Sequence, residues 1–460
     1  MNKSVWTRGL TYRKCRKLNK DIETDYLIIG GGIAGISVLE NLMDKDVVLI
    51  DKGVCGFGVS SKTTGKLTSL QGSIMNNLLY YQSAVDAINI VRNNVSKYNI
   101  ECDLEASPSY LFSFTENLYK EIKFYKDNNI DASLTNNFIF PNAIKLENNF
   151  VFHPLKYICA IKNMCLQKGI KIYENTTSHS ISKKDGKYIV DTGKYHIISK
   201  NVIVCSHYPS FIIPGNIPFI TSLEKSFVLS CPSKNINNFN AISVDEPIRS
   251  IRYYKNNLIF AGHSIRLSKN LNINKDINNM KDDLKNLFGL NPKYIWSTHD
   301  VITNDHLPLI GKIDDNLYIA TGFNKWGMTN GVISGKVISD IINNISNPYI
   351  DLFNPKRKIK SYSKLLYNWL DTSRIFLKTK IIKNYSFYKS VVIKNGYGIY
   401  TDSNNIKHVV KNKCPHMGCS LIFNNFDKTW DCPCHGSRFD VDGLVIEGPS
   451  TYNISVHKKN

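Results

Sequence analysis

Between Lys413 and Asp440 the chain reads KCPHMGCSLIFNNFDKTWDCPCHGSRFD, which gathers four cysteines and two histidines into two short knots, CPHMGC and CPCHGS. No other stretch limits the fold so tightly. Each knot contains a proline and a glycine, which end regular structure. Short strands precede them: Ser390–Ile393, the turn Asn395-Gly396, then Tyr397–Thr401. The C-x-H spacing of the first knot and the C-x-x-H spacing of the second bring four soft or borderline donors to the loop tips: Cys414, His416, Cys432 and His435. That donor set suits a metal centre. Cys419 and Cys434 remain, one in each knot. The pattern alone leaves open a metal site, a redox disulfide, or both.

Zinc takes the same atoms. A [2Fe–2S] cluster would place two thiolates on one iron and two neutral imidazoles on the other, which removes negative charge and raises the potential. Six candidate ligands in two loops are more than zinc needs. The segment resembles the Rieske domain, in the sub-type with a loop-bridging disulfide; GSRFD after His435 and DGLVIEGP at Asp442–Pro449 match it too. The resemblance implies Cys414, His416, Cys432 and His435 as cluster ligands and Cys419–Cys434 as the bridge, although a cytosolic disulfide is uncommon.

At 460 residues the chain needs two or three domains. With 42% hydrophobic and 11% aromatic residues it is a folded, globular sequence. No segment reads as a membrane span. The basic N-terminus, with Arg8, Arg13, Lys14, Arg16, Lys17 and Lys20, is not followed by an apolar signal core, so a cytoplasmic protein is expected. The net charge of +20 comes mostly from lysines scattered among Asn and Ile, without a basic block interleaved with aromatics. That argues against nucleic acid and leaves room for an acidic redox partner.

Near the N-terminus, DYLIIGGGIAGISVLE reads as strand, tight turn and helix. Gly30, Gly32 and Gly35 make G-x-G-x-x-G: one glycine for the turn, one for close approach of a pyrophosphate, one for helix–strand packing. A second apolar strand, Val47–Ile50, ends at Asp51, where a carboxylate would take ribose hydroxyls; Lys52 follows. The next segment, VCGFGVSSKTTGKLTS, is too long between Gly58 and Gly65 for a Walker loop, and Leu67 follows Lys66. A loop of this composition can fold over a flavin. Cys55 at its start reads as a packed thiol, with flavin attachment as the alternative.

GGGIAG, the acid after the second strand and TTGKLTS resemble FAD-dependent oxidoreductases of the glycine oxidase / D-amino-acid oxidase type. So do FHPLKY at Phe152–Tyr157, IVCSHYP at Ile203–Pro209, ITNDHLPLIG at Ile302–Gly311 and ATGFNKWGMTNG at Ala320–Gly331. The resemblance implies FAD, held by Gly30, Gly32, Gly35, Asp51, Lys52, Thr64, Gly65 and Lys66. It also implies a closing segment, Gly322, Trp326, Gly327, Met328 and Thr329, that turns a helix N-terminus toward the isoalloxazine ring. The fold class expected is α/β, a Rossmann-like FAD-binding domain with an inserted α+β substrate domain, plus a small all-β Rieske domain. The FAD-binding parts run over about 22–70, 147–209 and 298–345. The substrate-domain parts run over about 71–146 and 210–297, within an oxidoreductase domain of 1–345. A linker helix occupies 346–384 and the Rieske domain 385–460.

Within the substrate parts, His263, Arg252 and Tyr254 are candidates to face a substrate, with His153, His207 and Arg249 behind them. Each has an alternative as a structural polar group. In the linker, Ile359, Tyr362, Leu365, Leu366, Trp369 and Leu370 recur at helical spacing opposite a basic face. A helix docking the last domain is favoured over a peripheral membrane helix.

The expected activity is oxidation of a small amine or amino acid by hydride transfer to FAD. Electrons then pass to the Rieske [2Fe-2S] cluster and to an external acceptor, which favours a dehydrogenase over an oxidase. The rival is an electron-transfer protein that serves a partner and has no small substrate of its own.

Overall fold

The computed structural model describes residues 4–72, 77–136, 139–209, 217–234, 239–266, 273–359 and 388–456, together with Pro214, Leu370, Arg374 and Leu377. The apolar run before the glycines forms strand β1 (Ile22–Ile29), buried over Leu27–Ile29. It pairs in parallel with β2 (Val47–Ile50), which pairs in parallel with β3 (Lys171–Tyr173). On its other side β1 pairs in parallel with β4 (His196–Val204), which pairs in parallel with Leu317–Thr321. Continuous apolar runs suit this arrangement, because parallel strands are covered on both faces. Helix α1 (Ile33–Asn41) follows β1 directly and packs against helix α2 (Gly327–Ile342).

A second sheet of eight strands is assembled from two separate stretches of chain, within 109–146 and 221–303. It is antiparallel except where Asn240–Ser243 lies parallel to Ser109–Ser113. Two of its strands carry the site. β5 (Thr221–Pro232) pairs with the edge strand β6 (Tyr294–Thr303) from Thr221 opposite Thr303 to Ser230 opposite Tyr294. β6 therefore runs through the boundary expected at 298 and belongs to this second sheet, which roofs the cavity described below, since its partner is β5.

The N-terminal segment ties the two sheets together. Trp6 is fully buried and its Nε1 donates to the Thr63 carbonyl at 2.7 Å.

The C-terminal part is all β. Val391–Lys394, Tyr397–Thr401 and Lys407–Lys411 form one small sheet; Ile422–Asn424, Thr429–Asp431, Arg438–Phe439 and Val445–Glu447 form another. Trp430 fills its core. In the linker, Tyr349–Phe353 is helical and Leu370, Arg374 and Leu377 lie in helix, with Leu370 51% and Leu377 60% exposed. The expected docking face at Tyr362, Leu365, Leu366 and Trp369 lies outside the described residues; Ile359 is described and is not helical. Among the described residues no helix is long and apolar enough to cross a membrane.

Candidate active site and metal centre

One elongated cavity of about 710 Å³ runs between the two sheets. Gly30, Gly32, Asp51, Lys52, Thr64, Lys66, Trp326, Gly327, Met328 and Thr329 all line it. The first turns of α1 and α2 both line it, so two positive helix ends border the cavity, although Ile33 N at the start of α1 donates to Ser60 Oγ at 3.0 Å. Gly35 does not line the cavity. A Cβ there would collide with the Gly30 carbonyl, so it serves helix–strand packing. Gly65 is also outside, with φ of +74° and Arg252 against it. Gly322, at φ of +70°, shapes the turn before α2. Asp51 accepts from Gly31 N and Gly53 N, each at 2.7 Å, which fixes its carboxylate at the end of β2.

The three proposed substrate contacts are turned elsewhere. Arg252 is buried; its Nη1 donates to the carbonyls of Thr64, Gly65 and Phe152, while its Nε is buried without a partner, and it does not line the cavity. Tyr254 donates to Asp103 at 2.8 Å, and His263 pairs with Asp283 at 3.1 Å; neither lines the cavity. Of the others, Arg249 binds Asp283, and His153 caps the helix Pro154–Gln167 by accepting from Lys156 N. His207 does line the cavity. It is buried, which lowers its pKa to about 4, and its Nε2 has no hydrogen-bond partner. Cys55 is buried behind Gly31 and absent from the lining.

The side chains that do face inward come from alternate positions of the roof. Glu224, Ser226 and Val228 of β5 and Thr298, Asp300 and Ile302 of β6 share one face. Ser226 donates to Asp300 at 3.0 Å and contacts the Ser264 hydroxyl at 2.9 Å. Glu224 pairs with Lys325 at 2.7 Å. Burial pushes the Asp300 carboxyl up to about 6. Lys66 donates to the Ala241 carbonyl at 2.7 Å, and burial, with Arg252 nearby, lowers it to about 7. None of the ten arginines of the chain lines this cavity. A period-2 reading of the strand EKSFVLSC locates Glu224 and Ser226 on one face, but the pairing that sets Asp300 beside them is invisible without the fold.

The two knots come together as mirror loops. Cys414 N donates to Cys419 O and Gly418 N to Cys414 O; Cys432 N donates to Ser437 O and Gly436 N to Cys432 O. Gly418 and Gly436 sit at φ of +80° and +73°, which only glycine adopts without strain. Cys419 and Cys434 are bridged, with Cα atoms 6.7 Å apart. The thiols of Cys414 and Cys432 hydrogen-bond each other, an interaction that lowers Cys414 to about 7 and raises Cys432. The rings of His416 and His435 stand edge-on with centroids 5.0 Å apart. His416 Nδ1 is buried without a partner. Two hydrogen-bonded thiols and two imidazoles in edge contact, one with an orphaned nitrogen, fit a cluster held by Cys414, Cys432, His416 and His435. Both spare cysteines are consumed by the bridge.

The iron–sulfur lobe is docked on the roof through buried charge. Lys225, on the face of β5 opposite Glu224, contacts Asp427 at 2.9 Å and Asp431 at 3.1 Å. Arg438 joins Asp427, Asp431 and Glu447, and Glu447 reaches Lys62 at 3.3 Å across the junction. Burial alone would raise Asp427, but Lys225 and Arg438 outweigh it and hold it at about 2. Tyr208 lines the cavity, and its ring centroid is 6.3 Å from that of His435.

Fold and site together define a flavoprotein oxidoreductase with a Rieske iron–sulfur lobe built against its cofactor cavity. The family model described as FAD dependent oxidoreductase matches residues 25–341, and that described as Rieske [2Fe-2S] domain matches residues 376–458. The chain belongs to the FAD dependent oxidoreductase family and ends in a Rieske domain. It is 30% identical to YhfW of Bacillus subtilis (strain 168), described as a Rieske 2Fe-2S iron–sulfur protein, over 97% of this chain and 96% of that one. Gamma-glutamylputrescine oxidoreductase of Escherichia coli (strain K12) is 20% identical over 71% of this chain and 85% of that one. Glycine oxidase from Geobacillus kaustophilus superposes with a TM-score of 0.64 at 15% identity, covering 73% of this chain and 99% of that structure. L-amino acid deaminase from Proteus myxofaciens gives 0.65 at 17%, covering 78% and 98%. Both structures share the fold.

Proposed function

We propose that the chain is a dehydrogenase that oxidises a small amine or amino acid and delivers the electrons, through its own Rieske domain, to an external acceptor. When bound, FAD supplies two-electron acceptance and the cluster supplies one-electron storage at a potential raised by imidazole ligation. The observation that carries the reading is the shared wall: Tyr208 borders the cofactor cavity and stands against His435.

The roof supplies the substrate environment. Glu224, Asp300, Ser226, Ser264 and Thr298 offer carboxylates and hydroxyls to a protonated amine. A substrate carboxylate finds no arginine there, so among the two classes amines are favoured. The gamma-glutamylputrescine oxidoreductase relative agrees with that preference. Outside, Lys411, Lys413, Pro415 and Met417 are exposed around His416, a surface suited to an acidic redox protein.

The test is an anaerobic screen of amines and amino acids on the purified protein. An amine that bleaches the flavin and then the cluster is expected. Bleaching of neither by any compound, with reduction by an added protein donor, would favour the carrier reading instead.

A further inference from the structure

We infer that the Rieske domain is itself part of the FAD-binding site and retains the dinucleotide. The inference rests on FAD as the resident dinucleotide. Five residues of the C-terminal lobe, Ile446, Glu447, Gly448, Ser450 and Thr451, line the same cavity as Gly30, Gly32, Asp51 and Lys52. They run from the end of the last strand, Val445–Glu447, into the loop that follows it. A Cβ on Gly448 would lie 4.0 Å from Lys52 Nζ, and Glu447 pairs with Lys62. Thr176, Thr177 and Ser178 border the cavity as well, so this loop closes the part built around the end of β2.

The loop is held from behind by the iron–sulfur knot. Ser450 N donates to Ser437 Oγ at 2.9 Å, and Ser437 O accepts from the ligand Cys432. Its position against the flavin domain is set by the Lys225–Asp427–Asp431 contacts, on the opposite face of the roof from the cavity. A flavin domain alone would leave this side of a bound dinucleotide open to water. Here the Thr451 hydroxyl, with Lys52, completes a polar wall suited to the anionic ADP half of FAD, while the Ser450 hydroxyl donates back to the Tyr452 carbonyl at 3.1 Å. Departure of the cofactor requires the lobe to lift.

The experiment follows release of FAD from the full-length holoprotein by the fluorescence of the free flavin after dilution, with iron content measured in parallel. Thr451→Asp sets a carboxylate in the wall and is expected to speed release at least about tenfold while iron stays at the parent level. Thr451→Ser keeps the hydroxyl and should release at the parent rate. Asp427→Asn, which weakens the docking without touching the cavity, should also speed release. Parental release from Thr451→Asp with its iron intact overturns the inference. So does parental release from Asp427→Asn when hydrogen exchange reports a mobile Ile446–Thr451 backbone. A parent protein that holds iron yet neither contains nor takes up FAD would sink the cofactor reading instead, and is read out first.

Discussion

Asp300 and His435 illustrate how differently single residues announce themselves. His435 reads as a candidate ligand in sequence because C-x-x-H beside C-x-H is a chemical pattern carried within a few positions. Asp300 was not, since its place depends on ten residues of pairing between strands distant in sequence. The same reason explains the misreading of Arg252, Tyr254 and His263. Polar residues on a roof strand look alike in sequence, and only the pairing decides that these three turn to backbone carbonyls, Asp103 and Asp283 rather than to the cavity. Two predictions belong at this scale. His435→Ala removes one of four ligands; iron content should fall by most of its parent value while FAD is kept, as read by metal analysis and flavin absorbance. For Asp300, burial raises the folded pKa to about 6 from 3.8. The folded state then holds a proton that the unfolded chain has lost, so stability falls as pH rises between these values. Asp300→Asn should therefore match the parent at pH 4 and exceed it at pH 7.5, by on the order of 1 kcal/mol, since cavity water screens the group. Calorimetry at the two pH values checks it; an equal difference at both contradicts the pKa cause.

At the level of elements, β1, α1 and β2 were readable because three glycines, an apolar run and an acid at the right distance each constrain the next. The two knots were readable for the same reason. The boundary at 298 was misplaced because an edge strand of a roof and a strand of the flavin sheet present the same alternation. The charged seam between β5 and the iron–sulfur lobe left one trace in sequence, a lysine amid the apolar EKSFVLSC. Lys225→Met would leave Asp427 and Asp431 facing each other with Arg438 as their remaining cation. Removing one partner of a buried pair costs about 3–5 kcal/mol, so a large loss of stability is expected in denaturant titration, with the lobe at Asp427–Asp431 exchanging first. Asp427 is held below its unfolded pKa. Its contribution is present at neutral pH and lost as pH falls from about 4 toward about 2, and the lobe should detach in that window. Detachment at pH 5–6 would contradict the assignment.

At the scale of the whole molecule, two lobes that read as separate domains share one cavity wall. Local pattern recognised each lobe, because ligand knots and dinucleotide turns are short-range features. Their mutual placement rests on contacts such as Lys62 with Glu447, 385 residues apart, which no spacing encodes. On the proposed function, electrons cross from flavin to cluster inside one chain, past Tyr208 and His435. The most direct measurement is anaerobic flash photoreduction of the bound flavin with EDTA as donor, followed by the absorbance and low-temperature EPR signal of the cluster. A first-order appearance of reduced cluster, with a rate constant unchanged across a tenfold range of protein concentration, is predicted. A cluster that stays oxidised, or a rate that scales with protein concentration, contradicts it.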